Sequence, residues 1–226
     1  MIAMLAAGPA SSMAQEPTVP AVPSIVTNGE AILHRAADQA FVTAAVETRA
    51  RNPRDAQQQN AASMTTVLQR LAAAGLPKDA IRTLGYTVHQ DADFVNGRRV
   101  PKDFVAHNAV EVRVDAIERT GEIIDALVQA GATSVDRVRF DLKDRAALER
   151  EALRLAVVDA RARADAAAAG AGRTVDRVLR IDDSRQPEYP RPMMMATRTS
   201  ADTTTTPVEA GPIEIRATVV LTVTIK

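Results

Sequence analysis

The 226-residue chain has no cysteine and no tryptophan, and aromatic residues make up only 3% of it. The first absence excludes disulfides, thiolate zinc sites, iron–sulfur clusters and thiol nucleophiles together. The scarcity of rings demands an aliphatic core of Ala, Val, Leu and Ile, and leaves little with which to stack on bases. Charge of one sign is lacking too, since 28 basic residues balance 28 acidic ones. That removes the electrostatic footprint of a nucleic-acid-binding protein. No apolar run approaches the ~20 residues a membrane-spanning helix needs. Lysine is rare, with 4 against 24 arginines, while 43 residues are alanine; coding bias accounts for both. What remains, 25% charged and 46% hydrophobic residues, is ordinary for a folded protein of one large domain or two small ones.

The segment Met1 to Ala10 is apolar and small, and Ser12-Met13-Ala14 resembles the small-x-small site of signal peptidase. Residues 1–14 are therefore expected to be the remnant of a signal peptide, which makes the protein an exported one. Residues 15–23, with Pro17, Pro20 and Pro23, read as a stiff spacer before the fold, which spans residues 24–226.

Three helices announce themselves. Asn52 in the N-cap position, Pro53 at the first helical position and Asp55 in the first turn open one; Gly75 closes it, with Pro77 beyond. Ala56, Met64, Val67, Leu68 and Leu71 form its apolar face. Asp115 with Glu118 three residues later reads as a capping box for the second, whose stripe is Ile117, Ile124, Leu127 and Val128 and whose stop is Gly131. The third and longest runs from about Asp144 to Ala171, with Leu148, Ala152, Leu155, Ala162 and Ala166 recurring at three- and four-residue steps. Strands with period two lie around Val42 and Val46, Leu84 to Val88, Val110 to Val114, and Val138 to Leu142. The last is the cleanest: Ile213, Ile215, Ala217, Val219, Leu221, Val223 and Ile225 face one way, with Val220 the exception on the other.

The order is β-β-α-β-β-α-β-α-β-β. Residues 38–143 read as the split β-α-β-β-α-β unit of ferredoxin-like folds, and Asn96-Gly97 suits the tip of a long hairpin between its middle strands. The expected class is α+β, with antiparallel sheets carrying helices on one face, a long third helix and C-terminal strands. Residues 24–226 form one domain or two lobes, 38–143 and the remainder. Residues 186–211 read as a long Pro-, Met- and Thr-rich loop.

In this order the residues resemble the SIMPL-domain family of bacterial envelope proteins. Asn28-Gly29-Glu30-Ala31 is similar to its Gly-Glu-Gly opening, Ala37-Asp38 to its Pro-Asp, and Phe104-Val105-Ala106-His107-Asn108 to its Gly-Tyr-x-Ala-x-Asn strand. Gly131-Ala132 with Phe140-Asp141-Leu142 resembles its Gly-Ala…Phe segment. The Ala-rich helix is matched by Ala152, Ala156, Asp159-Ala160-Arg161 and Ala164, and the C-terminal signature by Pro207 to Ile213. The resemblance implies a periplasmic or outer-membrane-associated protein that forms homo-oligomers and is linked to tolerance of envelope or oxidative stress. It supplies no catalytic motif to carry over.

Candidate chemistry is thin. His34, His89 and His107 are scattered; His89 and His107 fall on neighbouring strands of one hairpin, where a surface metal pair competes with the more ordinary solvated histidine. Met193-Met194-Met195, between prolines, offers soft thioethers for Cu(I) or, more simply, an apolar plug for a subunit or domain contact. Asp182-Asp183 and Asp141 with Asp144 mimic acid–base pairs but sit at strand ends, where Asp caps and turns. No Ser lies in a Gly-x-Ser-x-Gly elbow, and Gly170-Ala171-Gly172 follows a helix instead of opening one. Arg98-Arg99 and the Arg173, Arg177, Arg180 series are interleaved with Asp and lack aromatics, so they predict no nucleic-acid surface. The expectation is a non-enzymatic envelope protein with no cofactor and no assigned catalytic, cofactor-binding or metal residue. It self-assembles through sheet edges, the long hairpin and the Ala-rich helix. A periplasmic small-molecule or metal-binding module is the alternative.

Overall fold

The computed structural model describes residues 22–184 and 206–226. Among them the chain forms, in order, β1 (Ser24–Ala36), β2 (Gln39–Ala50), α1 (Pro53–Ala73), β3 (Ile81–Val95), β4 (Arg98–Val114), α2 (Thr120–Gln129), β5 (Ser134–Asp141), α3 (Arg145–Gly170), β6 (Val175–Asp183) and β7 (Pro212–Ile225). The strands make two antiparallel sheets, a four-stranded one ordered β3-β4-β2-β5 and a three-stranded one ordered β1-β7-β6. The fold is α+β, and the four-stranded sheet with α1 and α2 has the predicted split β-α-β-β-α-β connectivity.

In the four-stranded unit, alternation in β2 and β4 turns Val42, Ala44, Val46, Val110, Val112 and Val114 to one side. There they meet Met64, Val67 and Leu71 of α1 and Ile123, Ile124 and Leu127 of α2. Asn52 caps α1 as expected, its carboxamide oxygen accepting the Asp55 N–H at 2.9 Å. Gly75 ends it with φ of 84°, a conformation Gly adopts without a Cβ clash. The expected apolar stripes are wider than the buried ones: Leu68 and Val128 are exposed. The Asp115 capping box does not form. Residues Ile117–Arg119 make a 3-10 turn, α2 begins only at Thr120, and no side chain caps it. Asp115 is instead drawn back to Arg113 at 3.3 Å, and its carbonyl accepts the Lys143 ammonium at 3.0 Å.

The three-stranded unit is held by α3. Its buried residues are Ala152, Ala156, Ala160, Ala164 and Ala168, a strict four-residue series. Ala162 and Ala166, expected on that stripe, are exposed. Four residues advance the helix by about 400°, so the buried row winds slowly and follows the twist of the strands below. β7, the central strand, buries Ile215, Val219, Leu221 and Val223 against it, in the predicted alternation. Thr224, assigned to the wet face, is also buried; its hydroxyl accepts the Arg177 N–H at 3.2 Å.

The chain passes between the sheets at points tied together by hydrogen bonds. The β1–β2 connection donates Asp38 N–H to the Asp141 carbonyl at 3.2 Å, and Lys143 N–H donates to the Asp38 carboxylate at 2.7 Å. Leu142, just past β5, is buried with Ala152 and Ile215 of the other unit. The approach to β7 is anchored on α2: the Thr206 hydroxyl donates to Asp125 at 2.6 Å, and Val208 packs on the four-stranded core.

Candidate functional site

Among the described residues the suspected groups stand on separate elements, Asp141 on β5, Asp144 before α3, Asp182 on β6 and His34 on β1. No three His, Asp or Glu side chains of the described residues gather where they could hold a metal ion. Asp141, one of the suspected acids, is an ion-paired anchor. Burial works against its ionisation, but hydrogen bonds from Arg145, the Leu142 N–H and Arg139 outweigh it and hold the carboxyl below its ordinary range. Such a carboxylate is poorly suited to proton transfer near neutrality. Asp144 stands before α3, where its carbonyl accepts the Ala147 and Leu148 N–H groups. Asp182 pairs with Arg180 at 2.7 Å. His34 lies on β1 opposite Glu214. Met193 to Met195 lie outside the described residues, as do residues 1–14 and the spacer up to Ala21.

The hairpin register does put two histidines on one side. Thr87 faces His107 and His89 faces Val105, so the imidazoles are diagonal neighbours on the sheet surface turned away from α1 and α2. The nearest carboxylate to His107 is Glu47, at 4.0 Å from Nδ1. That carboxylate is engaged by Arg49 at 2.9 Å, and Arg49 also holds Asp91 at 3.0 Å. The surface is a lattice of paired charges.

The buried carboxamide of Asn60 was missed by pattern reading. Asn60, on the apolar face of α1, donates to the carbonyls of Val46 at 2.8 Å and Ala106 at 3.0 Å, stapling the helix to β2 and β4 at once. Its Oδ1 and that of Asn108 are buried without a hydrogen-bond partner. A polar residue four positions from both Ala56 and Met64 was the available signal.

Hollows are shallow. One of about 420 Å³ lies at the start of α2, lined by Glu118, Arg119, Glu122 and Thr206 to Val208. Another of about 310 Å³ is walled by Phe41, Leu84, Glu111 and Arg139, with the Arg139 guanidinium lying over the Phe41 ring at 4.2 Å. Glu111 is already bonded to Arg82 at 2.8 Å.

The informative surfaces are the ends of the three-stranded sheet. At β1, α3 sits so close that Thr27 donates to the Ala160 carbonyl at 2.9 Å and the Glu30 N–H donates to Asp159 at 3.0 Å. That N–H, with Arg163, keeps the Asp159 carboxyl below its ordinary range. β1 is thus covered on its α3 side, while Val26 and Ile32 on its other face are 62% and 41% exposed, and the Ala stripe and β7 are both spent inside the fold. At β6 the helix falls short. Val178 and Ile181 stand opposite the buried Val223 and Leu221, yet they are 41% and 50% exposed, and neighbouring Leu179 is 47% exposed. α3 covers β1 and β7 and leaves much of β6 bare.

Comparison with known proteins finds relatives in sequence. Residues 25–223 match the model of the SIMPL family, a protein family of unknown function (DUF541). The chain is 26% identical over 188 residues to the 26 kDa periplasmic immunogenic protein of Brucella melitensis biotype 1, covering 80% of this chain and 75% of the relative. The protein of the same description from Brucella abortus strain S19 matches over the same lengths at the same identity. Among the described residues no helix is long and apolar enough to cross a membrane.

Proposed function

The chain belongs to the SIMPL family, and from that premise we propose that it is a non-enzymatic periplasmic protein that assembles into a homo-oligomer. The periplasmic assignment is supported by relatives described as periplasmic and by the leader-like first residues. The observation that carries assembly is the bare side of β6. Val178, Leu179 and Ile181 leave a strip of aliphatic surface at a sheet edge, while the opposite edge is sealed by Asp159. Exposed apolar edges are a liability that folded proteins cover. The strand pairing of β6 is itself irregular, with breaks around Val178. A second copy would therefore pack on the apolar side rather than extend the ladder.

This assembly uses neither α3 nor β7, both of which are committed within the subunit. The physiological setting we attach to it is tolerance of envelope or oxidative stress, with association at the outer membrane. Light scattering of the full chain at micromolar concentration tests the assembly. An oligomer that Ile181→Glu converts to folded monomer supports it. A strict monomer for the unsubstituted protein, or an oligomer indifferent to Ile181→Glu and Val178→Glu together, overturns it. A deletion strain no more sensitive to oxidants or detergents than its parent removes the stress role.

A further inference from the structure

We propose that the tip of the β3–β4 hairpin is a membrane-docking element that inserts into the headgroup layer of an anionic phospholipid surface. β2 supports the hairpin only as far as Ala50, which faces Phe104. Beyond that level β3 and β4 continue alone as a two-stranded ribbon through the pairs Ala92–Pro101, Asp93–Val100, Phe94–Arg99 and Val95–Arg98. From Gln90 to Val95 the ribbon extends roughly 17 Å at the usual rise of a strand. Asn96 and Gly97 turn it with φ of 51° and 77°, the signs a tight two-residue hairpin needs.

The distribution of side chains along this ribbon is ordered. Nearest the body Asp91 is paired with Arg49 at 3.0 Å and Asp93 with Lys102 at 3.1 Å, and Asp103 adds a further carboxylate at this level. At the far end, residues 94–100 are Phe-Val-Asn-Gly-Arg-Arg-Val, with two cations and no anion. Phe94 is 76% exposed, the barest large apolar side chain among the described residues, and Val95 and Val100 are about half exposed. Two of the apolar residues at the tip sit across the ladder from a cation, Phe94 from Arg99 and Val95 from Arg98, while Val100 faces Asp93. Aromatic and aliphatic groups at the end of a projecting ribbon, flanked by guanidiniums, match the boundary between acyl chains and phosphates.

An isolated ribbon is only marginally stable in water, so this one has reason to find a partner. A second copy fits less well. Tip-to-tip contact would set Arg98 and Arg99 against their own equivalents, and Pro101 has no N–H to offer an added strand. The proposal rests on the periplasmic, outer-membrane-associated reading and names the element that would make the association. It is independent of the β6 contact, which lies on the other sheet.

The chain contains no Trp, so Phe94→Trp makes a single fluorescent reporter at the tip. Full-length protein carrying it is mixed with vesicles of phosphatidylcholine alone or with phosphatidylglycerol added, and binding is measured in parallel by flotation. The expected result is a blue shift and flotation with the anionic vesicles, weakening as salt is raised. Arg98→Glu with Arg99→Glu should reduce binding by more than about tenfold, since each arginine lost near an anionic surface is worth about fivefold. Phe94→Asp, in an exposed position, should abolish binding while leaving the circular dichroism spectrum and oligomer size unchanged. Unshifted emission with both vesicles, equal binding to neutral vesicles, or binding retained by Phe94→Asp overturns the proposal. So does a blue shift that appears without vesicles and rises with protein concentration, which would mark a second copy as the occupant. Because oligomer size is read separately, loss of the β6 assembly and loss of lipid binding are distinguishable.

Discussion

Gly29 is where the packing of α3 makes its sharpest claim. A Cβ built on Gly29 would lie 2.0 Å from the Ala156 carbonyl oxygen, 2.5 Å from the Ala160 nitrogen and 2.6 Å from the Ala160 Cβ. Its φ is not among the positive ones, so the backbone itself would accept alanine. In an open strand, Gly→Ala is worth about 0.4–1 kcal/mol of added stability through the unfolded chain. Here the sign should reverse. Two of the three clashing atoms belong to helix backbone, which no rotamer change can move aside. The substitution therefore belongs at the upper end of overpacking costs, about 3 kcal/mol. For a protein of this length that lowers the thermal midpoint by roughly 6–12 °C. Far-UV circular dichroism would record it, and hydrogen exchange should show the Glu30 N–H losing protection as α3 lifts from Asp159. Ala160→Gly should not rescue it, because the closest atom is the Ala156 carbonyl. Gly85→Ala, whose Cβ would meet nothing within 4 Å, is the control and should add about 0.4–1 kcal/mol of stability. A Gly29→Ala protein as stable as its parent would refute the close approach of α3 to β1.

Asn60→Leu should cost about 2 kcal/mol in urea unfolding, because two buried carbonyls lose their shared donor; an unchanged midpoint would show the staple to be idle. The Asp141 carboxyl titrates below its unfolded value, so its contribution is full above the ordinary carboxylate range and disappears as pH falls through the lower folded value. Asp141→Asn should therefore destabilise at pH 7 and flatten the loss of stability below about pH 4; parallel pH profiles for the two proteins would contradict this. Val219→Asp puts a charge at a fully buried position of β7 and should prevent folding, whereas Thr218→Asp on the other face should give soluble protein with a near-normal melting curve. Equal tolerance of the two would refute the alternation.

Much of the fold was legible because it rests on local rules. Asn52 and Pro53 start α1, glycines at 75 and 131 stop two helices with positive φ, and period-two alternation marks the strands. Where reading failed, a competing contact decided. Asp115 prefers Arg113 to a capping role. Ala162 and Ala166 are as apolar as Ala160 and Ala164, and nothing in composition says which row of an Ala-rich helix meets the sheet. Asn60 reads as an interruption of an apolar face until β2 and β4 are seen to present carbonyls to it.

The absence of cysteine and the scarcity of rings determined by themselves that the core is aliphatic and that no thiol is available for chemistry. Local pattern and turn residues determined the element order and the antiparallel α+β class, because both act within a few residues. Which edges stay open was decided only in three dimensions. The same Ala-rich helix seals β1 and leaves β6 bare because its width covers two strands of three, and β2 stops at Ala50 while β3 and β4 run on. The surfaces left for a partner are set by where neighbouring elements end, a property of the packing that no single segment encodes.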